Sequence, residues 1–361
     1  MRGVLFRYLS LLLLKRSFAT LLVLIGLLQI VDLFEATSDV LERGLGLAGI
    51  VQYELLRLPA MVEQILPVSV LIGALTCFTG LARNSEMAAL RATGFTIYQV
   101  VAQLIPAAAL VAALHFVIAD QIVPRSERAF TTWWNAHPPL HPNPDETATR
   151  TKTVWFRNGP DLIYAEAASA DGRRLDRVRI YHREPDGRLS ERLTAKSASL
   201  GLDGRWRLSA AQELDVAPTT LRTSSLPDRT WDTDLSPADV VSVFSPSDRI
   251  SSGKALRDSR GDRPANKSPA FYLTRLQRAI AEPLGVLVMV LLAAPAALAQ
   301  QRSNQGTLLL FSLASGLLFL MVDGILTALG QTNVLPPILA AWAGPALFAA
   351  LAGAAMVHLE G

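Results

Sequence analysis

The alternation of apolar and polar segments is the feature that most constrains the fold of this chain. A helix needs about 20 apolar residues to cross the hydrocarbon core of a bilayer. Six stretches approach or exceed that length, and a long polar segment separates the first three from the last three. Since 50% of the residues are hydrophobic, a water-soluble fold would expose too much apolar surface. The predicted spans are Phe18 to Phe34, Ile65 to Ala82, Ile97 to Ala119, Ile280 to Ala299, Gly306 to Leu329 and Pro336 to Val357.

The polar middle of the chain has the pattern of β-structure. From Lys152 onward, short alternating runs are separated by turn residues. Within one run, Val178 and Ile180 are predicted to face an apolar interior, and Arg179 and Tyr181 the opposite side. A packed core and an apolar slot for a ligand both fit this alternation, and we favour the packed core. The predicted fold class is an α-helical membrane bundle of three plus three helices with an inserted antiparallel β-sandwich or β-jelly-roll domain.

Two segments rich in turn residues divide the chain. The Pro-rich stretch at 137–144 cannot continue a helix, and residues 245–269 are rich in Ser, Asp, Arg, Gly and Pro, as flexible linkers are. The predicted domains are residues 1–135 with transmembrane helices 1–3, a linker at 136–150, the β-domain at 151–245, a linker at 246–270, and residues 271–361 with helices 4–6.

Basic residues predict the orientation, because short cytoplasmic loops are enriched in Lys and Arg. The opposite connection, Glu35 to Leu58, carries more acidic than basic residues. We therefore predict that both termini are cytoplasmic and that the segment at 120–279, with the β-domain, lies on the other side of the membrane. The first span is expected to be retained, because no small-residue cleavage site follows it. The basic residues on the predicted cytoplasmic side are Arg2, Arg7, Lys15, Arg16, Arg83, Arg91 and Arg302.

A search for catalytic and metal-binding motifs in the sequence finds none. There is no Gly-x-x-x-x-Gly-Lys-Ser/Thr phosphate loop, no His-Glu-x-x-His helix and no Gly-x-Ser-x-Gly turn. His137 and His141 are four apart, but Pro138 and Pro139 prevent the helix that would align them as metal ligands. The net charge of +3 is small and its basic residues are scattered. We expect no enzymatic activity, no cofactor, no metal and no nucleic-acid partner.

The segment between the second and third spans carries the strongest local signal. Asn84 or Ser85 can cap the start of a helix, Glu86 would lie in its first turn, and Gly94 can end it. A plain connecting turn is the alternative, since a reversal between spans needs only a few residues. The extra length and the capping residues favour a short helix, at about 84–94, that docks a cytoplasmic partner.

With these residues in view, the chain resembles the LptF/LptG (YjgP/YjgQ) family of lipopolysaccharide export permeases, and within it LptG. In that family this pattern forms the helix that couples the permease to its ATPase. The resemblance assigns that role here to Ser85, Glu86, Met87, Leu90, Arg91 and Gly94. Further matches follow in the family's order at Asp120 to Pro124, Trp155 to Tyr164, Gly204 to Leu208, Thr230 to Pro237 and Asp323 to Pro337.

The resemblance implies one half of an ABC transporter in the bacterial inner membrane, with the β-domain in the periplasm. An LptF-like paralogue would complete a cavity that accepts lipopolysaccharide, and a cytoplasmic LptB-like ATPase dimer would drive its transfer. The β-domain would pass the lipid toward an LptC-like periplasmic bridge protein. A mechanotransmission subunit of another ABC system is an alternative, although such subunits usually have four spans. A sensor or scaffold that displays a β-domain is a third.

The chain departs from the family pattern near the outer end of span one, where relatives often carry lysines. Asp32, Glu35 and Asp39 occupy that region. Arginines elsewhere could bind lipid phosphates instead, because guanidinium groups bind phosphate in a bidentate way. Their alternative role is to anchor helices at the headgroups, and an acid within a span can equally bond a neighbouring helix. The predicted substrate-binding residues are Arg43, Arg57, Arg275, Arg278, Asp323 and Ile180.

Overall fold

The computed structural model of the chain forms two compact units. The first contains Met1–Leu140, Arg249–Ser252 and Leu273–Gly361, and the second contains His141–Asp248 and Gly253–Tyr272. The residues that the structure describes are 2–140, 153–169, 171–184, 186, 188–216, 221–244, 249–260, 263–296 and 305–360.

Long helices build the first unit, and strands build most of the second. The helices are α1 (Arg2–Glu42), α2 (Gly46–Arg83), α3 (Glu86–Ala92), α4 (Ile97–Val117), a π-helical turn (Ile118–Ile122), α5 (Val123–Ala136), α6 (Pro237–Phe244), α7 (Ser252–Arg260), α8 (Pro269–Ala293), α9 (Gln305–Gln331) and α10 (Pro337–Glu360). The strands are β1 (Val154–Asn158), β2 (Asp161–Ala165), β3 (Ala167–Ala168), β4 (Arg174–Arg183), β5 (Leu189–Leu200), β6 (Trp206–Val216) and β7 (Leu221–Trp231).

Six helices within the described ranges are long and apolar enough to cross a membrane, as the sequence predicts. Helices α1 and α2 contain 41 and 38 residues. At about 1.5 Å per residue each is much longer than a hydrocarbon core of about 30 Å. The predicted loop from Glu35 to Leu58 is therefore wrong, because helix continues through most of it. The predicted span end at Ala299, the residue Arg302 and most of the 136–150 linker lie outside the described residues.

Close contact between α1 and α2 depends on a glycine. A Cβ atom on Gly73 would lie 2.6 Å from the Cα of Ser17, which is backbone and cannot move aside. The core beside this contact is apolar and includes Leu13, Phe78 and the free thiol of Cys77, all buried. Small residues let helix backbones approach closely in membranes, where van der Waals packing replaces the hydrophobic effect as the driving force.

The second unit is built on a single antiparallel sheet that stays open. Its strand order is β1-β2-β4-β5-β6-β7, with β3 paired to β4. Val178 and Ile180 lie in the buried interior, as their alternation predicts, and helix α6 packs Val240 and Val243 into the same cluster. The buried indole of Trp206 donates a hydrogen bond to the Leu235 carbonyl at 2.7 Å. The predicted class, a helical membrane bundle with an inserted antiparallel β-domain, is confirmed.

The segment at 246–270, predicted as a linker, contains regular structure. Helix α7 occupies Ser252–Arg260 and buries Ala255 and Asp258. Ala265 then pairs with Arg157 of β1 through two backbone hydrogen bonds of 2.8 and 2.9 Å. The polar composition was misleading, because α7 has an amphipathic pattern that buries only one side of a short helix. Residues 245–248 and 261–262 lie outside the described residues.

The glycine contact predicts a test of the bundle. Gly73→Leu should lower the melting temperature of the purified chain in lipid nanodiscs, because overpacking costs about 1–3 kcal/mol. Gly26→Leu, on α1, is the matched control, since no atom lies within 4 Å of a Cβ placed there. Equal melting temperatures for the two variants would contradict the close approach of α1 and α2.

Candidate functional site

Helix α3 ends in a rigid C-terminal motif. Gly94 has φ +87°, a left-handed conformation that glycine adopts without steric cost. The amide of Gly94 donates to the Arg91 carbonyl at 2.9 Å, and that of Phe95 donates to the Leu90 carbonyl at 3.1 Å. These two bonds are the Schellman pattern, which satisfies carbonyls that a helix end otherwise leaves unpaired.

Helix α4 begins one residue after this motif. The Thr96 hydroxyl accepts a hydrogen bond from the Gln99 amide at 3.3 Å, and the Gln99 side chain accepts one from the Thr96 amide at 3.2 Å. This reciprocal pair is a capping box. Because the first motif ends at Phe95 and the second begins at Thr96, hydrogen bonds on both sides of this peptide fix the direction of α3 relative to α4.

The start of α3 differs from the predicted cap. Ser85 has φ +60°, and its hydroxyl makes no capping hydrogen bond to the helix. The side chain of Glu86 is held instead by the Tyr8 hydroxyl, which donates to it at 2.8 Å, and by the Asn84 amide at 3.4 Å. Tyr8 belongs to α1, so the first turn of α3 is attached to another helix of the bundle.

Helix α3 divides the predicted coupling residues between two faces. Met87 is 3% exposed and packs in the bundle core with the partly buried Leu90. Arg91 is half-buried and forms no ion pair within the described part of the chain. The outward face presents the small residues Ala88 and Ala92. An apolar groove of about 580 Å³ borders the helix and is lined by Val4, Leu5, Tyr8, Glu86, Ala89, Leu90, Thr93 and Phe95.

A balanced cluster of charges lies inside the helical unit. Arg278 on α8 pairs with Asp323 on α9 at 2.7 Å and with Glu282 at 3.6 Å. Arg275 lies 3.8 Å from Glu63 on α2 and 3.7 Å from Glu282. Charges in a low-dielectric environment are tolerated when each has an opposite partner. We call Glu63, Arg249, Arg275, Arg278, Glu282 and Asp323 the charged cluster.

Residues 249–252 also belong to the helical unit and are held there by polar contacts. Arg249 forms an ion pair with Glu63 and lies 3.9 Å from Glu127 of α5. The Ser252 amide, the first of α7, donates to Asp120 at 2.6 Å. Asp120 lies in the π-helical turn, a distortion that is often found at functional positions.

The other two predicted arginines contact aromatic rings. Arg43 stacks over Trp134, with 3.6 Å from its guanidinium carbon to the ring centroid, and donates to the Trp134 carbonyl at 3.0 Å. Arg57 pairs with Asp32 at 3.3 Å and lies 5.4 Å from the Tyr53 ring. Arg43 thus connects the end of α1 to α5, and Arg57 connects α2 to α1, whereas anchoring at the lipid headgroups remains a prediction.

All four predicted substrate-binding arginines therefore have intramolecular partners in this conformation. Asp323 bonds a neighbouring helix through Arg278, as its structural alternative expects. Their contact with a substrate remains a prediction. Ile180 lies in the other unit, where it is 2% exposed.

Ile180 nevertheless lines part of a cleft of about 860 Å³ in the second unit. Leu193 and Trp231 supply further apolar lining, and the walls are polar. In one wall, Arg229 pairs with Glu191 at 2.8 Å. Burial raises the pKa of Glu191, and the adjacent guanidinium of Arg229 opposes that shift. The β-domain thus has a packed core and, beside it, an open cleft.

Comparison with known proteins decides the family. The family model described as lipopolysaccharide export system permease LptF/LptG matches residues 7–358. This chain belongs to the LptF/LptG family. It is 26% identical over 342 residues to the lipopolysaccharide export system permease protein LptG of Escherichia coli K12, covering 94% of each chain. It is also 26% identical over 349 residues to LptG of Haemophilus influenzae, covering 96% of this chain and 93% of the relative.

Three members of the charged cluster, Glu63, Arg249 and Glu282, were not among the predicted site residues of this LptF/LptG-family chain. Glu282 follows Arg278 by four residues, and that spacing places opposite charges side by side on a helix. This signal could have identified Glu282. Arg249 and Glu63 are separated by 186 positions, and no local pattern connects them.

The charged cluster predicts an asymmetric response to substitution. Arg278→Met leaves Asp323 without its cation and should destabilise the chain by about 3–5 kcal/mol. The double variant Arg278→Met/Asp323→Asn should recover much of that loss, because no unpaired charge remains at the site. Thermal melting in nanodiscs of the two single variants and the double variant measures this coupling.

Arg57→Met is the matched control, since the Arg57 side chain is 42% exposed and exposed pairs contribute little. Additive effects of the Arg278 and Asp323 substitutions would refute a coupled buried pair.

Proposed function

We propose that this chain is the permease subunit of an ABC exporter that extracts lipopolysaccharide from the inner membrane, driven by a separate cytoplasmic ATPase. The family match over nearly the whole chain is the observation that carries the proposal. The arrangement of α3 supports it, because a rigid short helix between two membrane helices is suited to receive force. The sequence contains no phosphate loop that could bind ATP within the chain itself.

The free-energy cost of moving a lipid out of the bilayer favours a permease that works with a separate ATPase. Each methylene of an acyl chain that leaves the bilayer for water costs about 0.8 kcal/mol, so a lipid with several chains does not leave unaided. An apolar route lowers that cost, and ATP hydrolysis elsewhere supplies the rest. We infer that an LptF-like paralogue completes the cavity in the membrane and that an LptC-like protein accepts the lipid beyond it.

The proposed orientation follows from the charge of the connecting segments. Lys15, Arg16, Arg83 and Arg91 lie toward one side of the predicted spans, and acidic residues predominate on the other. We propose that both termini and α3 are cytoplasmic and that the β-domain is periplasmic.

Coupling to the ATPase is assigned to the outward face of α3. Ala88 and Ala92 allow a close approach of another protein, and Arg91 has no carboxylate partner among the described residues. The hydrogen bond from Tyr8 orients Glu86 and links α3 to α1. Met87 and Leu90 contribute by fixing the helix to the core rather than by touching the partner.

This assignment predicts the behaviour of three variants. Glu86→Lys and Arg91→Glu should abolish co-purification with the ATPase, because each reverses a charge on α3. Tyr8→Phe should leave the complex intact but reduce ATP-driven transfer several-fold, because only the bond that orients Glu86 is lost. Pull-down of the tagged chain and lipopolysaccharide release from proteoliposomes measure the two effects.

Glu35→Lys is the control for charge reversal, since Glu35 is an exposed residue toward the opposite end of α1. Unchanged co-purification of Glu86→Lys and Arg91→Glu would count against α3 as the docking element.

Lipid phosphates are proposed to reach the arginines of the charged cluster by exchange. Arg275 and Arg278 each contact two carboxylates through single nitrogen–oxygen contacts, and a phosphate could replace a carboxylate there with bidentate geometry. Arg43 and Arg57, held at the ends of α1 and α2, would serve at the rim of the cavity. The carboxylates that a phosphate displaces would need protons or other cations, which makes the exchange reversible.

The β-domain interior is proposed to receive the acyl chains where Ile180 and Leu193 line the cleft. Replacing Leu193 with a benzophenone amino acid should give lipopolysaccharide crosslinks that depend on ATP. The same replacement at Leu202 is the control, because Leu202 is fully exposed in the turn between β5 and β6, away from the cleft. ATP-independent crosslinks, or equal yields at both positions, would return the interior to an ordinary packed core.

A further inference from the structure

The outer face of the β-sheet carries an aromatic patch that the proposed lipid route does not use. Trp155 of β1 lies 5.0 Å from Tyr164 of β2 and 5.7 Å from Tyr181 of β4, measured between ring centroids. The rings of Trp155 and Tyr181 are stacked, with an interplanar angle of 25°. Trp155 is 46% exposed, although its neighbour Phe156 is 1% exposed on the inner face. The three rings therefore form a continuous surface that water reaches.

Two arginines adjoin these rings in the strand register. Arg192 of β5 is directly opposite Tyr181, and Arg179 of β4 is directly opposite Tyr164. The guanidinium of Arg179 lies 5.1 Å from the centroid of the Tyr164 ring. Neither arginine forms an ion pair with any residue that the structure describes. The patch therefore combines aromatic faces with uncompensated positive charge.

The neighbouring carboxylate does not neutralise this charge. Glu166 accepts a hydrogen bond from the Tyr164 hydroxyl at 3.0 Å, but its other oxygen is 2.5 Å from the Nε of Arg177. An aromatic pair that only stabilised neighbouring strands would not need unpaired guanidinium groups beside it. Charge and shape together point to a ligand that has both apolar faces and anionic groups.

Phosphate-bearing oligosaccharides have this combination of features. A pyranose ring presents a face of C–H groups that stacks on an aromatic ring, and guanidinium groups bind phosphate in a bidentate way. Acyl chains fit less well, because they carry no charge to match Arg179 and Arg192.

We propose that Trp155, Tyr164, Tyr181, Arg179 and Arg192 form a binding site for an anionic saccharide on the outer face of the β-domain. Its ligand would be the phosphorylated oligosaccharide of the exported lipopolysaccharide, an identity that rests on the proposed function. The two faces of the sheet would then bind different parts of the lipopolysaccharide. The inner face receives the lipid chains, and the outer face holds the sugar of the same or a following molecule.

Binding of a soluble oligosaccharide tests the site. The full chain, in nanodiscs of zwitterionic lipid, is titrated with fluorescently labelled core oligosaccharide released from lipopolysaccharide by mild acid, and anisotropy is recorded. Trp155→Ala and Arg192→Ala should each weaken binding about tenfold, because the first loses a stacking contact with a sugar ring and the second a charge-assisted hydrogen bond to phosphate. Arg192→Ala removes no ring contact, so it reports on the site even if Trp155→Ala destabilises the sheet.

Arg222→Ala is the matched control and should bind like the unmodified chain. Arg222 is an exposed arginine on β7 that pairs in register with Asp215, away from the patch. The dephosphorylated oligosaccharide should bind at least about tenfold more weakly, since the charge-assisted bonds are lost.

Three results would overturn the site: equal affinity for the phosphorylated and dephosphorylated sugars, equal loss in Arg222→Ala, or no binding at all. Competition by phosphatidylglycerol vesicles that depends on Trp155 and Arg192 would assign the patch to a membrane surface instead. Each of these results leaves the ATPase and crosslinking tests of the proposed function untouched. Failure of those tests with intact oligosaccharide binding would remove only the lipopolysaccharide identity of the ligand.

Discussion

The absence of water in the bilayer is the constraint from which the helical unit follows. Backbone amides and carbonyls within the hydrocarbon must pair within their own segment, so the apolar stretches form helices. The same constraint acts on side chains, and ionised groups at membrane depth are tolerated only beside an opposite charge. The cluster built around Arg278, Glu282 and Asp323 obeys this rule with three arginines and three carboxylates. Helix α8 is thereby connected to α2 and α9 by electrostatics as well as by packing.

Much of this architecture could be predicted because it follows from local sequence patterns. The six spans, the short helix α3 and the inward alternation of Val178 and Ile180 all depend on residues close in sequence. The lengths of α1 and α2 could not be read in the same way, because their ends leave the lipid and become mixed in polarity. Helix α7 was missed because a polar composition conceals a single buried side.

In the candidate sites, too, features that depend on neighbouring residues were predicted, whereas contacts between residues far apart in sequence were not. Gly94 and Glu86 were recognisable from capping chemistry, whereas the contact of Glu86 with Tyr8 joins residues that are 78 positions apart. The arginines expected to bind substrate were recognised as cations, but sequence alone does not reveal the carboxylates on other helices, Glu63 and Asp323, that face them. Any anion that binds Arg275 or Arg278 must therefore compete with a carboxylate already in place. Such competition favours weak and reversible contacts, as the proposed transfer of lipid requires.

The junction of α3 and α4 has a mechanical consequence. A Schellman turn ends at Phe95 and a capping box begins at Thr96, so the two helices form a rigid corner rather than a hinge. A force applied to α3 should therefore rotate α4 rather than bend the junction between the two helices. In the π-helical turn that follows α4, Asp120 accepts a hydrogen bond from the first amide of α7. A movement of α3 and α4 would therefore act on residues 249–252, which follow the β-domain in the chain.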